Sequence, residues 1–194
     1  MNLSDKKVLV LGLGVTGVSS IKCLNELGAK IIVTDNKSED KLQETLKKIE
    51  HIPMELHLNN GEIDFNDIDL VIKSPGIPPN SNMIKKAMAN SIEVITDIEL
   101  AYRISPTDNI IAITGTNGKT TSTILTGEIF RAANLNTYVV GNVGTGILEK
   151  IVRAKKSEVF VIEASSFQLE HTKIFKPKVG LITNITPDHL DWHG

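Results

Sequence analysis

An α/β protein made of two parallel-sheet units in tandem is the fold class that the sequence predicts, and three observations carry it. Residues 7–11, 110–114 and 158–163 are short β-branched and apolar runs that lack the alternation of a half-buried strand, so they read as strands buried on both faces. Two of these runs feed straight into a glycine-rich turn followed by helix-spaced residues, at 12–17 and at 115–118. The same strand, turn and helix grammar starts afresh in the second half, which divides the chain into residues 1–97 and 98–194.

Taken in order, residues 7–11 give the first strand, 12–17 the turn and 18–27 a helix that Gly28 stops. Residues 31–34 form the next strand. After Asp35, residues 38–50 have the spacing of an amphipathic helix capped by Ser38. Residues 69–72 are a short buried strand ending in Ser74-Pro75-Gly76-Ile77-Pro78-Pro79, a proline-rich loop that closes the β-α-β series. Residues 80–90 then read as helix and 93–95 as a last strand, so the first unit ends near Asp97. In the second unit, strand 110–114 and helix 120–133 are followed by strands at 137–140, 158–163 and 179–185. Each is nearly all apolar and is expected to be covered by helices on both faces.

Composition narrows the function classes. With 41% hydrophobic and 23% charged residues and a mean hydropathy near zero, the chain is soluble and globular, not disordered, fibrous or membrane-spanning. The net charge of −2 is spread evenly, with 11 basic and 14 acidic residues before position 98 and 10 and 9 after it. No basic surplus exists to hold nucleic acid or anionic lipid. The single cysteine, Cys23, lies in an apolar helical stretch and is expected to be buried as a small hydrophobe in a reducing cytoplasm. No apolar run approaches the roughly 20 residues a spanning helix needs, and the N-terminus has no signal-peptide pattern, so no membrane insertion is expected.

Gly12-Leu13-Gly14-Val15-Thr16-Gly17 satisfies G-x-G-x-x-G in its required context, after a strand and opening a helix, with Asp35 at the end of the next strand. The first glycine permits a tight turn, the second lets backbone approach a diphosphate, and free N–H groups at the helix start attract negative charge. Asp35 would then reach a ribose hydroxyl or a base N–H. Taken alone, the pattern serves NAD as well as any other nucleotide diphosphate, and the same turn also forms without a ligand.

Thr114-Gly115-Thr116-Asn117-Gly118-Lys119-Thr120-Thr121 has the Gly-Lys-Thr ending of a phosphate-binding loop, although the leading glycine of the usual pattern would fall at Ile113. Backbone N–H groups and Lys119 can face β and γ phosphates there, and the Thr120 hydroxyl can ligate Mg²⁺. Glu163 ends a neighbouring parallel strand and so stands at the same carboxyl edge, either as a hard oxygen ligand or as a solvated or capping residue. A polar cluster follows the last strand: Asn184, Thr186, Asp188, His189, Asp191 and His193. His189 could meet metal or phosphate there. Asp188 and Asp191 also suit turns and caps, and His193 suits the surface.

Four ordered motifs taken together resemble the Mur ligase family of ATP-dependent amide-forming enzymes of peptidoglycan synthesis. They are the loop at residues 114–121, Gly141-Asn142-Val143-Gly144, Glu163-Ala164-Ser165-Ser166-Phe167-Gln168-Leu169, and Asn184-Ile185-Thr186-Pro187-Asp188-His189-Leu190-Asp191. Within the family, the glycine-rich opening, Ser74-Pro75-Gly76-Ile77 and the Ser165 motif look like the D-glutamate-adding branch. The resemblance implies a Rossmann-like amino-terminal unit at residues 1–97 that grips UDP-N-acetylmuramoyl-L-alanine. Val15, Thr16 and Gly17 would lie near phosphate, Asp35 and Asn36 near uracil, and Ser74, Gly76, Asn142 and Ser165 along the substrate. No nicotinamide is then required.

It further implies a P-loop-like central unit at residues 98–194. There Gly115, Thr116, Asn117, Gly118, Lys119, Thr120 and Thr121 bind ATP, Thr120, Glu163 and His189 arrange Mg²⁺, and Lys119, Glu163 and His189 serve catalysis. The implied reaction joins D-glutamate to the alanine carboxylate through an acyl phosphate, in a cytoplasmic enzyme, monomeric when complete, of cell-wall biogenesis and hence of cell shape and division. The family pattern continues past the His189 motif to a carbamylated lysine and a third domain. The resemblance therefore implies that 194 residues keep the nucleotide-binding parts but not the full ligase machinery. A different Mur ligase, or a nonenzymatic nucleotide-binding module, would share the same loops.

Overall fold

The computed structural model describes residues 1–59 and 61–190. Its first half contains β1 (Lys7–Leu11), α1 (Val15–Glu26), β2 (Lys30–Asp35), α2 (Glu39–Lys47), β3 (Met54–Leu58), β4 (Leu70–Lys73), α3 (Asn82–Ala89) and β5 (Glu93–Ile95). The strands form one parallel sheet in the order β3-β2-β1-β4-β5, with Val8 of β1 level with Ile31 on one side and Leu70 on the other. The chain winds outward from β1 in one direction and returns to its opposite side at β4. A crevice therefore opens beyond the carboxyl ends of β1 and β4, where the winding reverses.

The second half begins with α4 (Asp97–Ile104) and continues with β6 (Ile110–Thr114), α5 (Lys119–Ala132), β7 (Thr137–Gly141), α6 (Ile147–Ile151), β8 (Val159–Glu163), α7 (Ser166–Leu169) and β9 (Val179–Ile182). Its sheet is also parallel, in the order β7-β8-β6-β9, and Ile113 is level with both Glu163 and Leu181. The carboxyl ends of β8, β6 and β9 therefore share one edge. A continuous core runs through both halves: Ile21 and Leu24 of α1 belong to the same buried cluster as Ile98 of α4, Leu148 of α6 and Phe160 of β8. Glu26 and Arg153 add a bidentate pair across the halves.

The structure departs from the sequence reading at identifiable places. Helix α1 starts at Val15, not residue 18, because the last three residues of the glycine motif are its first turn. Helix α2 covers Glu39–Lys47, shorter than 38–50, and Ser38 sits at its N-cap without a side-chain cap bond, whereas Ser81 does cap α3. Strand β3 and helices α4, α6 and α7 were not expected. The β3 sequence alternates and stays partly exposed at the sheet edge. Strand β9 ends at Ile182 instead of 185, because residues 183–186 turn to bond the loop after β6. The expected cover on both faces also fails there: Val179 is 54% and Ile182 60% exposed. Cys23 is buried as expected, and burial pushes its thiol up to about 12. Among the described residues, no helix is long and apolar enough to cross a membrane.

Candidate functional site

The first cleft, about 580 Å³, opens at the winding reversal of the first sheet. Gly12, Thr34, Asp35, Asn36 and Gly76 line it. Gly12 donates its N–H to the Thr34 carbonyl at 2.8 Å, which locks the turn to β2. Gly17 brings α1 against that turn: a Cβ there would stand 1.9 Å from the Gly12 carbonyl oxygen, so only glycine permits the approach. The first intrahelical bond runs from the Val18 N–H to the Gly14 carbonyl, which leaves the N–H groups of Val15, Thr16 and Gly17 as a first turn without intrahelical acceptors. Ser74, like Val15, Thr16 and Gly17, does not itself line the cleft, but it ties its loop to the turn, with its N–H on the Leu11 carbonyl and its hydroxyl on that of Gly12. Asp35 is partly committed, since its two oxygens accept the N–H groups of Leu13 at 2.7 Å and Lys37 at 2.9 Å.

The second cleft, about 530 Å³, opens at the carboxyl edge of the second sheet. Gly115 has φ +136°, and a Cβ there would lie 2.2 Å from the Thr183 hydroxyl, so the loop passes this point only as glycine. Residues 183–186 brace the loop. Thr116 donates its N–H to the Asn184 carbonyl and Asn117 to the Asn184 side chain, while the Asn184 amide returns a bond to the Asn117 carbonyl. Two loop N–H groups expected to face phosphate are therefore already bonded. The N–H groups of Lys119, Thr120 and Thr121 precede the first intrahelical bond, from Ser122 to Gly118. Lys119 folds its ammonium over the loop, 2.7 Å from the Gly115 carbonyl and 3.0 Å from that of Thr116.

Glu163 is 2% exposed at the end of β8. Its Oε1 accepts the Asn142 amide at 3.1 Å, and its Oε2 is buried with no hydrogen-bond partner among the described residues. His189, its ring 4.8 Å from that of Phe167, lines the second cleft together with Lys119, whereas Glu163 and Thr120 do not line it. Among the described residues no three His, Cys, Asp or Glu side chains gather as a ready metal cluster. Asp191 and His193 lie outside the described residues. A smaller space of about 210 Å³ joins the halves, lined by Pro75 and Gly76 from the first and Lys119, Asn142, Ser165, Phe167 and His189 from the second.

Two family models match this architecture half by half: the "Mur ligase MurD-like, N-terminal domain" over residues 6–96 and the "Mur ligase middle domain" over residues 113–194. The chain belongs to the Mur ligase family. It is 50% identical over its whole length to a UDP-N-acetylmuramoylalanine--D-glutamate ligase of Alkaliphilus metalliredigens and 46% identical to that of Clostridioides difficile. It spans 43% of the length of each. In fold, this Mur ligase chain is similar to the crystal structure of UDP-N-acetylmuramate:L-alanyl-gamma-D-glutamyl-meso-diaminopimelate ligase from Neisseria meningitides, at 16% identity and TM-score 0.57, covering 98% of the chain and 64% of that structure.

Several buried polar residues of this Mur ligase chain carried no signal in the sequence. Glu99 accepts the N–H groups of Lys173, Ile174 and Phe175 and a bond from Arg103; burial opposes its charge, but these donors hold the carboxyl below the usual range. Gln168 joins the Ser165 capping box to Asp97, with Nε2 3.3 Å from both carboxylate oxygens. Burial pushes the Asp97 carboxyl up to about 6 against this bond. The folded state then holds a proton that the unfolded chain releases near pH 4, so stability falls as pH rises from about 4 to 6 and stays lowered above. The shift corresponds to about 3 kcal/mol. Urea midpoints of wild type and Asp97→Asn, compared from pH 4 to 7, should show the variant gaining stability relative to wild type across that window. A pH-independent difference would refute the assignment.

Proposed function

We propose that the chain holds the nucleotide- and substrate-binding parts of an ATP-dependent ligase that joins D-glutamate to UDP-N-acetylmuramoyl-L-alanine in peptidoglycan precursor synthesis. The observation that carries the reading is the junction: Gly76, which lines the first cleft, and Lys119, Ser165 and His189, which line the second, meet around one space with Asn142. The names of the relatives support the same substrate class.

On this reading the first cleft takes the UDP portion, with Val15, Thr16 and Gly17 at the diphosphate, Asp35 and Asn36 toward uracil, and Ser74 and Gly76 leading the muramoyl arm out. Because the Asp35 carboxylate already accepts two backbone donors, its contact with the base uses remaining lone pairs, and Asn36 supplies the adjustable partner. The arm passes Asn142 and Ser165, which brings its alanine carboxylate to the loop that spans Gly115 to Thr121. A carboxylate is a poor electrophile, so its oxygen attacks the γ-phosphorus, ADP leaves, and the amine of D-glutamate then displaces phosphate from the acyl phosphate. The Lys119 ammonium exchanges its loop carbonyls for phosphate oxygens and neutralises charge as it moves onto the leaving group.

The donor set fits Mg²⁺. Glu163 offers a buried oxygen with no partner among the described residues, Thr120 is an exposed residue of the first helical turn, and His189 stands on the cleft wall with Phe167. One carboxylate suffices because Mg²⁺ keeps water and phosphate oxygens for most of its octahedron. When bound it supplies positive charge to the phosphate oxygens. A buried lone cysteine suits the cytoplasm, where we place the ligase, and we take the complete enzyme as a monomer.

Isothermal titration of the 194-residue chain is the test. UDP-N-acetylmuramoyl-L-alanine should bind and be displaced by UDP, and it should bind more tightly than the same nucleotide without alanine. Preference for NAD over UDP would sink the reading.

A further inference from the structure

Lys73 ends β4 with its side chain wholly buried. Its ammonium donates to the Ile77 carbonyl at 2.9 Å and stands 3.6 Å from the Glu170 carboxylate, itself only 26% exposed. These partners belong to different halves. Ile77 closes a tight turn on Ser74, and Ser74 is bonded to the glycine loop of the first cleft. Glu170 ends the helix whose Ser165 and Phe167 line the second cleft and the junction. Lys73 itself lines neither cleft.

A buried ammonium has no water to fall back on, so it keeps its acceptors in place or loses most of its solvation. Burial lowers the basicity of this amine and the Glu170 carboxylate from the other half partly offsets that. We propose that Lys73 is a positioning residue: its buried contacts with Ile77 and Glu170 hold the Ser74 loop and the Ser165 helix at one separation. A ligand that reaches across the junction then meets both walls without reordering either. This rests on the reading that the substrate is a nucleotide with an arm spanning both clefts. A ligand confined to the first cleft gains nothing from that spacing, whereas a spanning one gains the ordering already done.

Two probes separate these cases: UDP, which fits the first cleft, and UDP-N-acetylmuramoyl-L-alanine, which spans. In the 194-residue chain, Lys73→Met should weaken the spanning ligand about tenfold and leave UDP within about twofold of wild type. Lys73→Gln, which gives up the ion pair with Glu170 but keeps a donor, gives the same split if the methionine variant melts, with circular dichroism as the folding control. Equal loss of both ligands, or no loss of either, in a folded variant overturns the positioning role while the substrate reading stands. Wild type binding UDP as tightly as the longer ligand also overturns it, because no spanning gain then exists. Wild type binding neither ligand overturns the substrate reading and this inference together.

Discussion

Replacing Lys119 by methionine will weaken ATP binding by about a hundredfold or more. The ammonium is the positive charge that the loop itself presents, held by the carbonyls of Gly115 and Thr116 and free to transfer to phosphate oxygens. Hydrogen bonds to charged groups contribute about 1.5–3 kcal/mol each. Two of them to a triphosphate therefore amount to about 3–6 kcal/mol, or a hundredfold and upward in affinity. Methionine fills the same volume, and the two carbonyls it leaves are near solvent, so water replaces the lost donor and the fold is retained. Titration with ATP and Mg²⁺ measures the loss, and UDP affinity at the first cleft serves as the internal control. A change in ATP affinity below about threefold would remove Lys119 from the phosphate site.

The second large effect is expected from Gly17→Ala. A methyl group there would stand 1.9 Å from the Gly12 carbonyl oxygen and 3.0 Å from its carbon. Neither can retreat, because Gly12 is tied to Thr34 and continues the central strand β1. Helix α1 must move instead, carrying the N–H groups of Val15 and Thr16 out of register with the cleft. Overpacking of this kind costs about 3 kcal/mol, and for a chain of this size that lowers Tm by roughly 10 °C. UDP binding should disappear with it. Gly14→Ala is the contrasting case: its Cβ would meet nothing within 4 Å, so stability should change by less than about 1 kcal/mol. On the proposed reading, in which the diphosphate lies against this turn, the added methyl group narrows its approach, so UDP affinity should fall. Thermal melts of both variants decide the matter, and equal melting of the two would mean that Gly17 is not a close-packing glycine.

Much of this was legible because the signals are local. A glycine turn between a buried strand and a helix is encoded within a dozen residues, and both such turns lie where the sequence puts them. Glu163 was legible for the same reason: it ends an apolar run, and parallel pairing then brings it level with Ile113. The residues that were missed act at a distance. Asp97 and Gln168 lie 71 positions apart, and Glu99 meets the backbone 74 to 76 positions later. An acidic residue in the first turn of a helix looks like an ordinary solvated end, and nothing nearby in the chain announces that it is buried.

The exposed β9 and the brace from Asn184 have the same origin. An apolar run of four residues states that a strand wants cover, but only the assembled sheet shows which face receives it. The amino-acid sequence by itself determined the two parallel-sheet units, the two glycine turns between strand and helix and the acidic residue at the end of the strand beside the second, because strand burial, helix starts and glycine turns are short-range consequences of side-chain size and backbone freedom. The tertiary structure decided that the two clefts face a common junction, that Glu163 keeps a buried oxygen with no partner among the described residues, and that Lys73 is locked between the halves. Those outcomes depend on desolvation and on partners brought together from 21 positions away, for Asn142 and Glu163, and from 97 positions away, for Lys73 and Glu170.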